Sequence, residues 1–223
     1  MQTEKFITPI AHALHHEQGN WGVINQMRVM TDFVDQRQEE SRKKSLGIAD
    51  ASLLRKFGVK GAHAAQWLSE QGITIPLRAN SWVYGADGSL ILRLGNSEFL
   101  IEDAPGGASC VKLEAAYAAP AGVYPVPHVE AAFVLSGHAV QELFHEVCPI
   151  DLTRAALGPQ DVVMTQMAGI SVVLIRQDLE GESHYRLWCD SSYGPYLWEV
   201  FAEIAHEHNG GPIGIGRYLA ACE

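Results

Sequence analysis

Apolar and polar positions along the chain follow a scheme that occurs twice. Residues 57–76, FGVKGAHAAQWLSEQGITIP, open with an apolar run that closes at Gly61. They pass a His63-Ala64 pair and enter an amphipathic stretch that predicts a helix over 62–71, stopped by Gly72. Residues 133–152, FVLSGHAVQELFHEVCPIDL, repeat the order: apolar run, Gly137, His138-Ala139, then helical spacing to about Val147 with Ser136 as the predicted cap. The two stretches lie 76 residues apart. Their sequels are alike too. After the first come 82–84, an Ala-Asp-Gly turn, 90–94, a Gly-Asn turn and 98–101; after the second come 162–167, an Ala-Gly turn, 170–175 and 184–189. Short apolar runs separated by glycine turns predict antiparallel meanders. A unit this long, seen twice, points to a duplicated domain, since a solenoid needs three or more repeats. Any β-α-β-β protein drifts toward such likeness; the recurrence of Gly, His and Ala in one order favours duplication.

The remaining pattern fills in the frame. Thr8-Pro9 predicts a helix start, with the helix running to about Gln18 and stopped by Gly19. Residues 29–33 read as extended, and 35–46 as a charged helix ended by Gly47, with Glu39 and Lys43 spaced i, i+4. Residues 48–50 and 52–59 are strand-like. The least patterned stretch, 103–128, holds a short helix over 111–118 and a connection stiffened by Pro120, Pro125 and Pro127. A last helix over 193–208 carries Leu197, Val200, Phe201 and Ile204 on one face. The sum is an α+β fold of two duplicated β-α-β-β halves, residues 1–119 and 120–223, with antiparallel sheets and helices on one face of each.

Charge and composition narrow the function. A net charge of −10 over 223 residues excludes a phosphate-binding surface of the nucleic-acid kind. The one basic cluster, Arg42-Lys43-Lys44, sits beside Glu39 and Glu40 and reads as a solvated helix face. The longest apolar runs fall short of the ~20 residues of a membrane span, and MQTEKF lacks the apolar core of a signal peptide. Four cysteines without a C-x-x-C pair predict reduced thiols in the cytoplasm.

Residue chemistry alone offers few site candidates. His12 and His16 share a predicted helix face, but a third metal ligand is missing, and His206 and His208 point apart on a helix. Cys148 has no base assigned to it and reads as a small buried hydrophobe. No phosphate-loop, dinucleotide or G-x-S-x-G fingerprint is present. Asp87 in a hairpin turn, Glu182 after Gly181, Arg186 within a strand and Arg217 in the glycine-spaced tail remain. Each also has a plain reading: turn former, loop residue, outward strand residue, tail charge.

Several runs carry a resemblance. TPIAHALHHEQGNWGV near the start, ESRKKSLGIADASLLRKFGVKGAHAAQWL at 40–68, GESHYRLWCDSSYGPYLWEVFAEI at 181–204 and PIGIGRYLA at 212–220 resemble, in order, segments of the folate-binding aminomethyltransferase family, the glycine cleavage T proteins and their relatives. The resemblance implies the T-protein folate-binding fold without its C-terminal β domain. CPIDL after the second helix is most similar to the gamma-subunit type of heterotetrameric sarcosine oxidase. DLEGE at 178–182 lacks the cysteine of the iron–sulfur assembly branch.

What the resemblance implies for function follows residue by residue. Tetrahydrofolate would be the cofactor and would accept a methylene group from an aminomethyl or iminium intermediate. Asp87 falls where the family's transferases keep a catalytic aspartate pair, and would stabilise the cationic nitrogen. Glu182 and Arg186 fall at the glutamates that grip the pterin; the second is an arginine, which cannot accept hydrogen bonds from the ring N–H groups. Arg217 would meet the glutamate tail of folate through a two-pronged contact. No flavin or nicotinamide motif is present, so redox chemistry would belong to larger flavin-bearing subunits; self-association into a homo-oligomer is the other assembly considered. The alternative reading is a catalytically inactive structural or regulatory subunit that kept the fold without binding folate.

Overall fold

A computed structural model describes residues 4–219 except 16, 34, 154–155 and 180. In chain order the elements are β1 (Phe6–Ile7), β2 (Gly19–Ile24), β3 (Met27–Phe33), α1 (Gln36–Leu46) and β4 (Gly47–Asp50). Next come β5 (Lys56–Lys60), α2 (Ala64–Glu70), β6 (Ser81–Tyr84), β7 (Leu90–Arg93), β8 (Glu98–Glu102), α3 (Ser109–Ala116) and β9 (Tyr124–Val126). The last set is β10 (Ala131–Ser136), α4 (Val140–Val147), β11 (Val162–Met167), β12 (Ile170–Leu179), β13 (Glu182–Cys189), α5 (Gly194–Glu207), β14 (Gly211–Pro212) and α6 (Ile215–Leu219). These elements form two compact units, one of residues 1–53, 130–159 and 164–223, the other of 54–129 and 160–163.

The duplication is visible in the sheets. One sheet has the order β6-β7-β8-β5-β9, the other β11-β12-β13-β10-β4-β14. In both, the leading strand of the repeat pairs antiparallel with the last strand of its meander. The registers match position for position: Phe57↔Ile101, Gly58↔Leu100 and Val59↔Phe99 in one, Phe133↔Leu187, Val134↔Arg186 and Leu135↔Tyr185 in the other. The outer neighbour differs in origin: β9 follows its meander in the chain, whereas β4 precedes its repeat. A small third sheet, β1-β3-β2, completes the strands.

Each repeat turns from strand to helix through a glycine that no other residue replaces easily. Gly61 has φ +128° and Gly137 φ +102°, a region that costs L side chains energy. A Cβ would also meet the Gly122 carbonyl oxygen in one case and the Ser45 carbonyl oxygen in the other. Both helices then bury the same stripe: Ala64, Trp67 and Leu68 in α2, and Val140, Leu143 and Phe144 in α4. Each helix begins three residues after its glycine, so the His-Ala pairs agree in order but not in register; His63 takes the place of Ala139. Trp67 packs between Phe57 and Tyr117, with ring centroids 6.0 and 5.8 Å away, and Phe144 meets the edge of Tyr185 at 4.9 Å. Burying one such ring is worth about 1.5–3 kcal/mol.

Three local expectations change. Residues 9–15 form successive turns and not a helix; Thr8 sends its hydroxyl to buried Asp50 instead of capping a full turn series. Glu39 does not pair with Lys43. It is fully buried, and the exposed pair on α1 is Glu40–Lys44 at 3.6 Å. Ser136 is not the cap of α4, whose N-cap is Ala139; its hydroxyl donates to the Lys43 carbonyl at 3.2 Å. His16 and Cys222 lie outside the described residues.

Candidate functional site

A cleft of about 440 Å³ opens in the larger unit, lined by Lys44, Gly137, His138, Val140, Gln141, Gly181, Glu182, Ser183 and Tyr185. Strand lengths explain it. The β12–β13 hairpin runs on to the pair Leu179↔Glu182, while β10 ends at Ser136↔His184. Glu182 and Ser183 therefore overhang the end of β10, and no ladder bond joins Gly137 to Ser183. Gly137 swings the chain away into α4, and the gap between overhang and helix is the cleft. On the helix side, the His138 and Ala139 amides donate to the carbonyls of Lys44 and Ser45 at 3.0 and 2.9 Å, tying the turn to the end of α1. Gln141 donates from Nε2 to the Tyr185 hydroxyl at 2.8 Å, while its Oε1 is buried without a hydrogen-bond partner among the described residues. α4 starts without a side-chain cap, so amides of its first turn are left for solvent or a ligand.

The predicted residues of this unit take three different positions. Glu182 stands exposed at the cleft wall. Arg186 lies four residues further along the same strand, is fully buried, and donates from Nη2 to the Ala51 carbonyl at 3.2 Å. Its guanidinium lies 5.6 Å from the Trp188 ring centre and 5.7 Å from that of Tyr218, a cation–π arrangement. Tyr218, on α6, also donates to Gln177 at 2.8 Å. Arg217 faces Glu39, with Nε 3.3 Å from Oε2. Glu39 accepts the Phe33 amide at 2.9 Å and the Gly214 amide at 2.7 Å on its other oxygen. A buried carboxylate with this many donors is a joint of the fold, which ties α1 to β3 and to the tail.

Asp87 belongs to the smaller unit, in the turn between β6 and β7. Its Oδ1 accepts the Ser89 amide at 3.1 Å and the Ser89 hydroxyl at 2.6 Å, and its Oδ2 accepts the Ser109 hydroxyl at 2.6 Å. Partial burial works to raise its pKa, but the bonds from Ser109 and Ser89 outweigh this and hold the carboxyl below the ordinary aspartate value. Ser109 opens α3, and a second aspartate, which the sequence did not single out, meets the same helix start. Asp103 is 2% exposed; its Oδ1 accepts the Cys110 amide at 2.9 Å, and its Oδ2 has no partner among the described residues. Burial and, after it, the Asp103 charge push the Cys110 thiol up, which removes it as a nucleophile. Among the described residues no group of three or more His, Cys, Asp or Glu could hold a metal ion, and no helix is long and apolar enough to cross a membrane.

Known proteins agree with this architecture. The family model of the GCVT N-terminal domain matches residues 10–219. No curated protein sequence matches. The glycine cleavage system aminomethyltransferase T from Bartonella henselae superposes with a TM-score of 0.72 at 13% identity, over 94% of this chain and 60% of that one. A chain of the heterotetrameric sarcosine oxidase from Corynebacterium sp. U-96, in complex with pyrrole 2-carboxylate, superposes with a TM-score of 0.64 at 18% identity, over 80% of this chain and 94% of that one. Identities this low speak to the fold. The chain thus spans three fifths of the T-protein chain and nearly all of the oxidase chain.

Proposed function

The chain belongs to the GCVT N-terminal domain family, and from that premise we propose that it serves as a non-catalytic, gamma-like subunit of an amine-oxidising complex of the sarcosine oxidase type. Arg186 carries this reading. Where the resemblance expects a carboxylate to accept the N–H groups of a pterin, a donor-only guanidinium is buried between Trp188 and Tyr218 and bonded to Ala51. Arg217, expected at the folate tail, is paired with Glu39, and both oxygens of Asp87 are held by serines. Of the four residues expected at a folate site, Arg186, Arg217 and Asp87 do not fit tetrahydrofolate, so on this reading no catalytic step is assigned to the chain. The near-complete coverage of an oxidase chain of similar extent supports the subunit reading. Flavin chemistry would then reside in larger partners, and the complex would be cytoplasmic, in keeping with the free thiols Cys110, Cys148 and Cys189. Affinity purification of the tagged chain from its native cell tests this. A stoichiometric partner with flavin absorbance is expected; recovery of the chain alone or only with copies of itself would count against it.

A second reading, a tetrahydrofolate-binding protein of one-carbon metabolism resembling the aminomethyltransferases, is favoured by Asp103. A buried acceptor without a donor costs about 1–3 kcal/mol, and a ligand N–H at Oδ2 would relieve that cost. Asp87, held at the same start of α3, would be the catalytic candidate of this reading. A thermal-shift titration with tetrahydrofolate separates the two. Stabilisation by about 2.7 kcal/mol at one hundred times Kd favours the second reading, and an unchanged midpoint at millimolar ligand favours the first.

A further inference from the structure

We propose that the cleft between the β13 overhang and the start of α4 binds a small zwitterion of the amino-acid type, its ammonium group held by Glu182 and its carboxylate by Lys44 and His138. The two walls carry opposite charge. The hairpin wall presents the Glu182 carboxylate, which makes no hydrogen bond or ion pair among the described residues and is an acceptor only. A carboxylate without a donor calls for a group rich in N–H, such as an ammonium. The opposite wall presents Lys44, whose only ion pair among the described residues, to Glu40 at 3.6 Å, is exposed and therefore weak. The His138 imidazole, with no side-chain partner among the described residues, and the uncapped amides of α4 stand beside it.

This combination disfavours the simpler ligands. A phosphate or other multiply charged anion would face Glu182, and a plain amine would face Lys44. A zwitterion satisfies both walls at once. The volume, about 440 Å³, lies in the range of small-molecule sites and leaves room for a side chain against Val140 and the Tyr185 ring. The other copy of the repeat is closed at this place by its ladder, which continues past the strand with the Gly61 amide donating to the Ser97 carbonyl at 2.9 Å. The site uses neither Arg186 nor Asp103 and is compatible with the oxidase reading; it shares Glu182 with the tetrahydrofolate reading, and the two ligands would compete for that carboxylate.

Isothermal titration of the full chain with L-leucine tests the proposal, with 3-methylbutylamine and 4-methylpentanoate as probes that each lack one charge. L-leucine is expected to bind, and each one-charge analogue to bind roughly tenfold or more weakly. Glu182→Gln should weaken L-leucine about five- to tenfold without weakening 4-methylpentanoate; Lys44→Met should weaken L-leucine and 4-methylpentanoate but not the amine. Both side chains are exposed, so an unchanged unfolding midpoint establishes that the variants fold. No heat with L-leucine at about 10 mM, equal affinity for L-leucine and 4-methylpentanoate, or indifference of L-leucine to Glu182→Gln would each overturn it.

Discussion

The two copies of the repeat share strand order, register and the glycine that turns strand into helix, yet they end differently. In the copy built on β5, the β7–β8 hairpin stops level with the leading strand, and Gly61 still bonds to Ser97. In the copy built on β10, the hairpin runs two residues further and the ladder parts at Gly137. The core position opposite the second strand residue diverges as well, Leu100 in one and Arg186 in the other, both nearly or fully buried. The scaffold lies in the glycine turn and the helix stripe, which both copies keep. Divergence gathers where a hairpin overshoots and where a buried side chain changes class.

Filling the glycine turn should have the largest effect on both copies. Gly61→Ala and Gly137→Ala each force a left-handed backbone and a collision with a neighbouring carbonyl, and each should destabilise its unit by ~3 kcal/mol or more. Urea unfolding followed by fluorescence measures both. If one variant is tolerated, the two turns are not mechanically equivalent. Exchanging the divergent core residues sharpens the contrast. Leu100→Arg places a charge in an apolar layer and should cost about 3–5 kcal/mol. Arg186→Leu removes a guanidinium whose desolvation already offsets much of its bonding, and should change stability by less than about 2 kcal/mol. Equal losses from the two would mean that the Arg186 site accepts a foreign residue no better than an ordinary core position does.

Much of this was legible because it is local. Alternation, glycine turns and helical spacing placed the meanders, both repeat helices and the charged helix α1, whose cap the structure identifies as Asp35, accepting the amides of Arg37 and Gln38 at 3.0 and 3.1 Å. What escaped is made by distant partners. Glu39 looked like a surface residue because its donors, Phe33, Gly214 and Arg217, come from both ends of the chain. Arg186 looked outward-facing because period-two reasoning assumes one wet face, whereas six successive residues of β13, from His184 onward, are buried. The cleft could not be foreseen, since it depends on how far one hairpin overhangs a strand nearly fifty positions earlier. Asp103 gave no signal beyond its position after a strand.

The smallest effect concerns the hairpin turn, where the copies again part. The β11–β12 turn is Ala168-Gly169, pinned by the Ala168 amide to the Val147 carbonyl at 2.8 Å. The β6–β7 turn is pinned to α3 through the Asp87 carboxylate and Ser109. Asp87→Asn keeps the shape but loses charge-assisted bonds, and at this exposed site should cost ~0.5–1 kcal/mol near pH 7. The sign with pH follows from linkage. Because the folded-state pKa lies below the ordinary aspartate value, the unfolded chain takes up the proton first as pH falls. The stabilising contribution is therefore full above the unfolded pKa of about 4 and fades as pH drops through the lower folded-state value. Urea midpoints of the two proteins should differ by the same amount at pH 7 and pH 6 and converge below about pH 4. A gap that stays constant into acid would assign the effect to the shape of the turn and not to the charge, leaving the two hairpins alike in kind.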